Sequence, residues 1–155
     1  MKVLSHIFKA TSYTALAGWV ALFLLPFWPL VSFSAQSFVV GIVVLLLSVA
    51  YVYLVFLGKK HDGTDHKVRG SFWSLKGIIN LFKTPRVVLA GWVHYLAFDL
   101  MVGVFIVSNA AHYNIAHWVL LPCLFLTLMF GPAGLLLYFV LRTVITGEYF
   151  VVNVF

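Results

Sequence analysis

Apolar residues in this chain fall into four long blocks with short polar links between them. The first block, roughly 13–31, carries Pro26 and Pro29 near its far end. Prolines there kink or end a helix, and Trp28 suits a water boundary. Ser32 and Ser34 have the small-x-small spacing of a signal-peptidase site. The apolar run is too long for an ordinary signal core, so it reads as a retained helix. A short link, 32–37, leads to the second block, about 38–57, which holds no charge. At about 1.5 Å per residue it can cross a hydrocarbon core of about 30 Å.

The only strongly polar loop, GKKHDGTDHKVRG (58–70), follows. Next, Phe72, Leu75, Ile79 and Phe82 recur at helical spacing over 71–83, with Lys76 and Lys83 elsewhere on the wheel. This stretch is too short and too charged to span, so it predicts an amphipathic helix lying in the interface or capping the bundle. Pro85 opens the third block, about 86–109, as a proline suits a first helical turn. A short loop separates it from the fourth, about 117–141, which Gly131-Pro132 interrupts. The fold class predicted is an all-α membrane protein: a single domain over 1–155, four transmembrane helices, and one interfacial helix between the second and third.

Composition agrees with this layout. The chain has 155 residues, 63% hydrophobic and 9% charged, against about 45–50% and about 25% in soluble domains. Ten Lys and Arg face four Asp and Glu. Four crossings would set all ten basic residues near one side, with both termini. The positive-inside rule makes that side cytoplasmic, or stromal in a plastid. Basic charge at anionic headgroups explains the balance without nucleic acid. One cysteine, Cys123, excludes a disulfide framework. The loop string HDGTDH matches no standard metal signature, and His112 and His117 form an incomplete pair, so no metal is expected.

The candidate chemistry sits in GWVHYLAFDLMVG (91–103), where an apolar segment holds Asp99 and His94. A carboxylate at the centre of a membrane helix costs about 2.5–3.5 kcal/mol on the lenient insertion scale, which calls for a partner or a use. Counting from Asn109 and Ala116 sets Asp99 level with about Thr127 and His94 with about Gly131-Pro132. Trp92, Tyr95, Asp99 and Gly103 share one face. Cys123, Thr127, Gly131, Gly134 and Tyr138 form a stripe where a backbone can approach closely. Together these faces predict a polar, aromatic-walled slot at mid-membrane. Pro132 frees the Leu128 carbonyl, which His94 is deep enough to meet. His94 lies about 140° round the helix from Asp99, so the two would act from separate sides, or His94 would face another segment. Each also has a structural reading: Asp99 bonded to Thr127 as helix glue, His94 as a packed residue, and the stripe as packing.

WVHYLAFDLMVG at 92–103 and HWVLLPCLFLTLMFGPAGLLLYFVLR at 117–142 resemble the plant abscisic-acid-deficient membrane protein family needed for neoxanthin formation. SFWSLKGIINLFKTP is similar too. With no obvious transit peptide, the chain resembles a bacterial or cyanobacterial member. The resemblance implies carotenoid chemistry, the isomerisation of an epoxide to an allene without a redox cofactor. Asp99 would be the acid, kept protonated by low dielectric, and His94 the base. Trp92, Tyr95, Trp118, Cys123, Thr127, Gly131 and Tyr138 would line the polyene site. The alternatives are a non-catalytic carotenoid- or lipid-binding module, a small subunit of a membrane complex, and an oligomeric proton relay using Asp99.

Overall fold

A computed structural model describes residues 2–24, 27, 36–62 and 70–149. Among these residues the regular structure is helical throughout. Three helices are long and apolar enough to cross a membrane: α1 (Lys2–Leu24), α2 (Gln36–Lys60) and α4 (Pro85–His112). A short helix, α3 (Leu75–Leu81), precedes α4, and two half-length apolar helices follow it, α5 (His117–Phe130) and α6 (Pro132–Thr146).

α1 begins eleven residues before the predicted start. Nothing between Lys2 and Leu24 breaks a helix, and hydropathy marks only the part suited to lipid, so the polar first turns are wound as well. Pro26, Trp28 and Pro29 near the predicted end of that block, and residues 32–35 of the link after it, lie outside the described residues; residues 36 and 37 of the link already belong to α2. α2 winds wide, with π-helical turns at Val39–Val44 and Tyr53–Leu57. Gly18 lets α1 press on both partners: a Cβ there would stand 3.0 Å from Val43 and 3.1 Å from Leu100.

The connection before α4 is anchored by a residue that composition alone treats as a headgroup charge. Arg86 is buried, and its Nε donates to both Asp62 carboxylate oxygens at 2.9 and 3.0 Å. Its Nη2 donates to Oδ2 at 2.9 Å and its Nη1 to the Leu54 carbonyl at 2.6 Å. A cation in the first turn of a helix opposes the helix dipole, and the last-turn carbonyls of α2 lack partners of their own. Asp62 answers the first problem and Arg86 the second. Residues 63–66 of the HDGTDH string, Asp65 and His66 included, lie outside the described residues.

α3 is shorter than the predicted 71–83. Ser71 accepts from the Trp73 amide, and Ser74 caps the helix by accepting from the Gly77 amide, both at 3.1 Å. Serines at such positions favour turns and caps over helix interior. Phe72, Leu75, Ile79 and Phe82, the predicted apolar face, are all exposed.

The last block departs most from expectation. It is not one interrupted crossing but two arms folded back on each other. Gly131 turns the chain with φ +38° and ψ −88°, and Pro132 starts α6 at a position where a proline fits. A Cβ on Gly134 would run into the Thr127 hydroxyl and the Cys123 carbonyl, so the arms cross in direct backbone contact there. α6 then returns alongside the second half of α4. Phe105 meets Tyr138 edge-on at 6.2 Å, Tyr138 Oη donates to Asn109 Oδ1 at 2.6 Å, and the Arg142 guanidinium lies 5.2 Å from the Tyr113 ring. The end of α6 therefore lies beside the α4–α5 link. A straight fourth crossing would have put it beside the 58–85 connection, with Lys2. Arg142, fully buried, leaves the predicted basic end with it.

Removing Asp62 strands a buried cation, a loss of about 3–5 kcal/mol in comparable pairs. Asp62→Ala is expected to lower thermal stability in detergent by about 3 kcal/mol, while Lys59→Ala at an exposed neighbour changes it by less than about 0.5 kcal/mol.

Candidate functional site

Asp99 stands midway along α4, and the hairpin turn comes to rest on it. A Cβ on Gly131 would overlap Asp99 Oδ1 and lie 3.3 Å from Oδ2, so only glycine admits the carboxyl at the turn. Asp99 is 7% exposed, and its Oδ2 has no hydrogen-bond partner among the described residues. Such an atom is costly to bury unsatisfied.

The expected level of Asp99, opposite Thr127, is off by one helical turn. α4 runs on to His112, three residues past the assumed end, which moves the opposing position to the Phe130–Gly131 junction. Thr127 is not a partner of Asp99. Its hydroxyl donates to the Cys123 carbonyl at 2.8 Å inside α5.

The loosened turn does find a donor on α4, but it is Tyr95 rather than His94. Tyr95 Oη donates to the Met129 carbonyl at 2.8 Å, with the Leu128 carbonyl at 3.5 Å. Tyr95 lies one turn before Asp99 on the same face, and the two side chains are close enough to interact. The Gly131 amide donates to the Thr127 carbonyl at 2.8 Å, which closes the end of α5. Trp92 continues the face away from the tip. It stacks on Tyr95 at 5.7 Å and donates from Nε1 to Ser12 Oγ at 3.3 Å.

The other predicted residues lie elsewhere. His94 is exposed, stacked on Phe98 at 4.4 Å and tilted against Tyr51 of α2 at 5.6 Å, so it faces another segment and does not meet Asp99. Cys123 and Thr127 are buried against the α6 arm, and Tyr138 is buried against Asn109. The returning arm fills the slot that these residues were expected to line. Trp118 is exposed on the outer side of α5. The structure thus brings together Asp99, Tyr95, Trp92 and Gly131, and separates them from His94, Trp118, Cys123, Thr127 and Tyr138.

Two polar residues that the sequence reading passed over hold the far end of the hairpin. Asn109 Oδ1 accepts from Tyr138 and stands 3.4 Å from Arg142 Nη1, while Arg142 Nη2 donates to the Tyr149 carbonyl at 2.6 Å. An asparagine near the end of an apolar block was the available signal, because polar side chains there pair across helices. At the start of α5, His117 Nε2 lies 3.1 Å from the Phe23 carbonyl and ties the hairpin to α1.

Two glycines with positive φ allow a direct comparison. Gly131 faces Asp99, whereas a Cβ on Gly147 (φ +74°) meets nothing within 4 Å. Gly147→Ala is expected to cost about 1 kcal/mol from backbone strain alone. Gly131→Ala adds a clash with a buried carboxyl, and a loss of at least about 3 kcal/mol is expected in thermal unfolding.

Comparison with known proteins places this site in a family. The ABA DEFICIENT 4-like family model matches residues 6–138, which include Trp92, Tyr95, Asp99 and Gly131. Protein ABA DEFICIENT 4, chloroplastic, of Arabidopsis thaliana is 25% identical over 109 residues, covering 68% of this chain and 47% of that protein. The chain thus spans about half the length of that relative. No solved structure matches it. With most of its length, the α4 face and the hairpin turn inside the family match, the chain belongs to the ABA DEFICIENT 4-like family.

Proposed function

We propose that this protein acts on carotenoids within the membrane, with Asp99 and Tyr95 at the hairpin tip as its acid. The observation that carries this reading is the buried Asp99 Oδ2, unpartnered beside a backbone turn. A carboxyl in hydrocarbon is cheaper neutral than charged, and a neutral one has a proton to give. The choice of substrate is what the sequence resemblance implies, and membership of the ABA DEFICIENT 4-like family is consistent with it.

Epoxide-to-allene conversion is a net isomerisation. Asp99 gives its proton to the epoxide oxygen, which leaves carbon as a hydroxyl. A base takes the proton of the adjacent vinylic carbon, and that electron pair becomes the second double bond of the allene. Atoms and electrons balance without an oxidant. The base must act within a few Å of the epoxide oxygen, and His94, set against Tyr51 and Phe98 on another side of α4, does not reach it.

In this reading the bundle crosses the membrane three times, with α5 and α6 as a re-entrant pair. Non-helical backbone at that depth is tolerated when protein covers it. Lys2, Lys9, Lys59, Lys60, Lys76, Lys83 and Arg86 share one end, which the positive-inside rule makes cytoplasmic or stromal. The exposed apolar face of α3 lies in the headgroup layer on that side.

The separation of His94 from Asp99 favours a second reading, a carotenoid-binding module without catalysis. One experiment divides the two. Asp99→Asn in a host making epoxidised xanthophylls keeps the shape of the site and removes the acid. Catalysis predicts that the product xanthophyll disappears while its epoxide precursor accumulates. An unchanged pigment profile would leave binding as the role.

A further inference from the structure

Polar side chains on a membrane helix turn inward or bond to their own backbone. Several in this chain do so. The hydroxyls of Thr11, Thr127 and Thr143 each donate at 2.8 Å to the carbonyl one turn back, and Ser12 accepts from Trp92. Ser48 and His94 do neither. Both are exposed, and among the described residues no hydrogen bond reaches the Ser48 hydroxyl or the His94 ring nitrogens. Ser48 is the central residue of α2, twelve residues from Gln36 and twelve from Lys60. His94 lies nine residues into α4 from Pro85, about 14 Å along the axis.

The two belong to one lateral face. His94 stacks on Phe98 and tilts against Tyr51, and Tyr51 lies one turn from Ser48 on α2. Gly41, two turns before Ser48, faces the same way, and a Cβ there would meet nothing within 4 Å. Phe98 and Val52, 61% and 49% exposed, flank the polar pair.

We infer that this face receives a second copy of the chain inside the membrane, related by a two-fold axis, with His94 and Ser48 as the polar contacts between copies. The inference rests on α2 and α4 crossing the membrane and not on the carotenoid reading. Lipid tails can cover Phe98 and Val52 but offer nothing to a hydroxyl or an imidazole. A neutral imidazole and a hydroxyl each carry a donor and an acceptor. Each can therefore pair with its own counterpart or with the other. A two-fold contact needs that self-complementarity, because it sets the same patch on both copies. The patch holds no Lys, Arg, Asp or Glu, so nothing in it favours a charged partner. Gly41 and Ser48 are small enough for another helix to come close.

The outer side of α1 makes no such demand. A groove of about 510 Å³ runs along α1 and the start of α2, lined by Leu16, Val20, Leu24 and Phe38 among others. Among the described residues, Tyr13 brings the only side-chain polar atom to it.

Fluorescence transfer between labelled full-length chains in vesicles, diluted stepwise with lipid, gives the dissociation constant of the pair. Light scattering in detergent counts the copies, and circular dichroism reads helical content. The wild type is expected to pair. His94→Phe and Ser48→Ala each remove the same contact from both copies and are expected to weaken pairing about tenfold, with helical content unchanged. Val20→Trp, on the α1 groove, is expected to leave pairing at the wild-type value. Weakening in either polar variant alone still sets the contact on this face, and Ser48→Ala decides if His94→Phe loses helix. A monomeric wild type, wild-type pairing in both polar variants, or weakening by Val20→Trp as large as theirs overturns the inference. An assembly of more than two copies overturns the two-fold arrangement. None of these measurements reads pigment, so failure here leaves the carotenoid reading standing, and failure of that reading leaves this face untouched.

Discussion

The structure depends on a chain reversal made against the middle of α4. At Gly131 the helix stops and a new one starts in the opposite direction, against a carboxyl on the neighbouring helix. Backbone groups buried at such a turn need partners within the protein. Gly131 donates back to Thr127, Tyr95 reaches the Met129 carbonyl, and Pro132 has no amide proton to satisfy. The missing Cβ of Gly131 makes room for Asp99, and that of Gly134 lets the two arms touch. At the other end Tyr138, Asn109 and Arg142 close the hairpin. A turn held at both ends keeps Gly131 seated on the Asp99 carboxyl.

That reversal also makes α4 asymmetric. Its half toward His112 is covered by α1 and the hairpin, while the half toward Pro85 leaves Val88, Trp92, His94 and Phe98 exposed. A uniform bundle of four straight helices would have covered both halves. Arg86 and Asp62 hold the uncovered half at its base by binding the last turns of α2. Open surface and buried acid thus meet at a single level, where the tip ends.

Much of this was legible in the sequence, and the rest was not for identifiable reasons. The charge-free second block, Pro85 at a helix start and the burial of Asp99 follow directly from hydropathy and proline chemistry. Gly131-Pro132 was recognised as an interruption, but hydropathy has no sense of direction and cannot tell a kink from a reversal. The small stripe of Cys123, Thr127 and Gly134 was read as an invitation to a neighbouring helix. The neighbour proved to be the same segment returning. Arg142 looked like a headgroup charge because it follows an apolar block, yet it is buried beneath Tyr113. His94 and Tyr95 are adjacent in sequence, and only the real helix phase decides which of them meets the turn.

The proposed re-entrant arrangement of the hairpin is most directly tested by the membrane side of its end. Single cysteines at Lys59, Asn114 and Glu148 can be challenged with an impermeant thiol reagent in sealed, oriented vesicles; native Cys123 is buried and stays silent. With the hairpin folded back, a cysteine at Glu148 reacts from the same side as one at Asn114 and opposite to one at Lys59. Labelling of Glu148 from the Lys59 side would mean that the last segment crosses the membrane, and the turn against Asp99 would not exist.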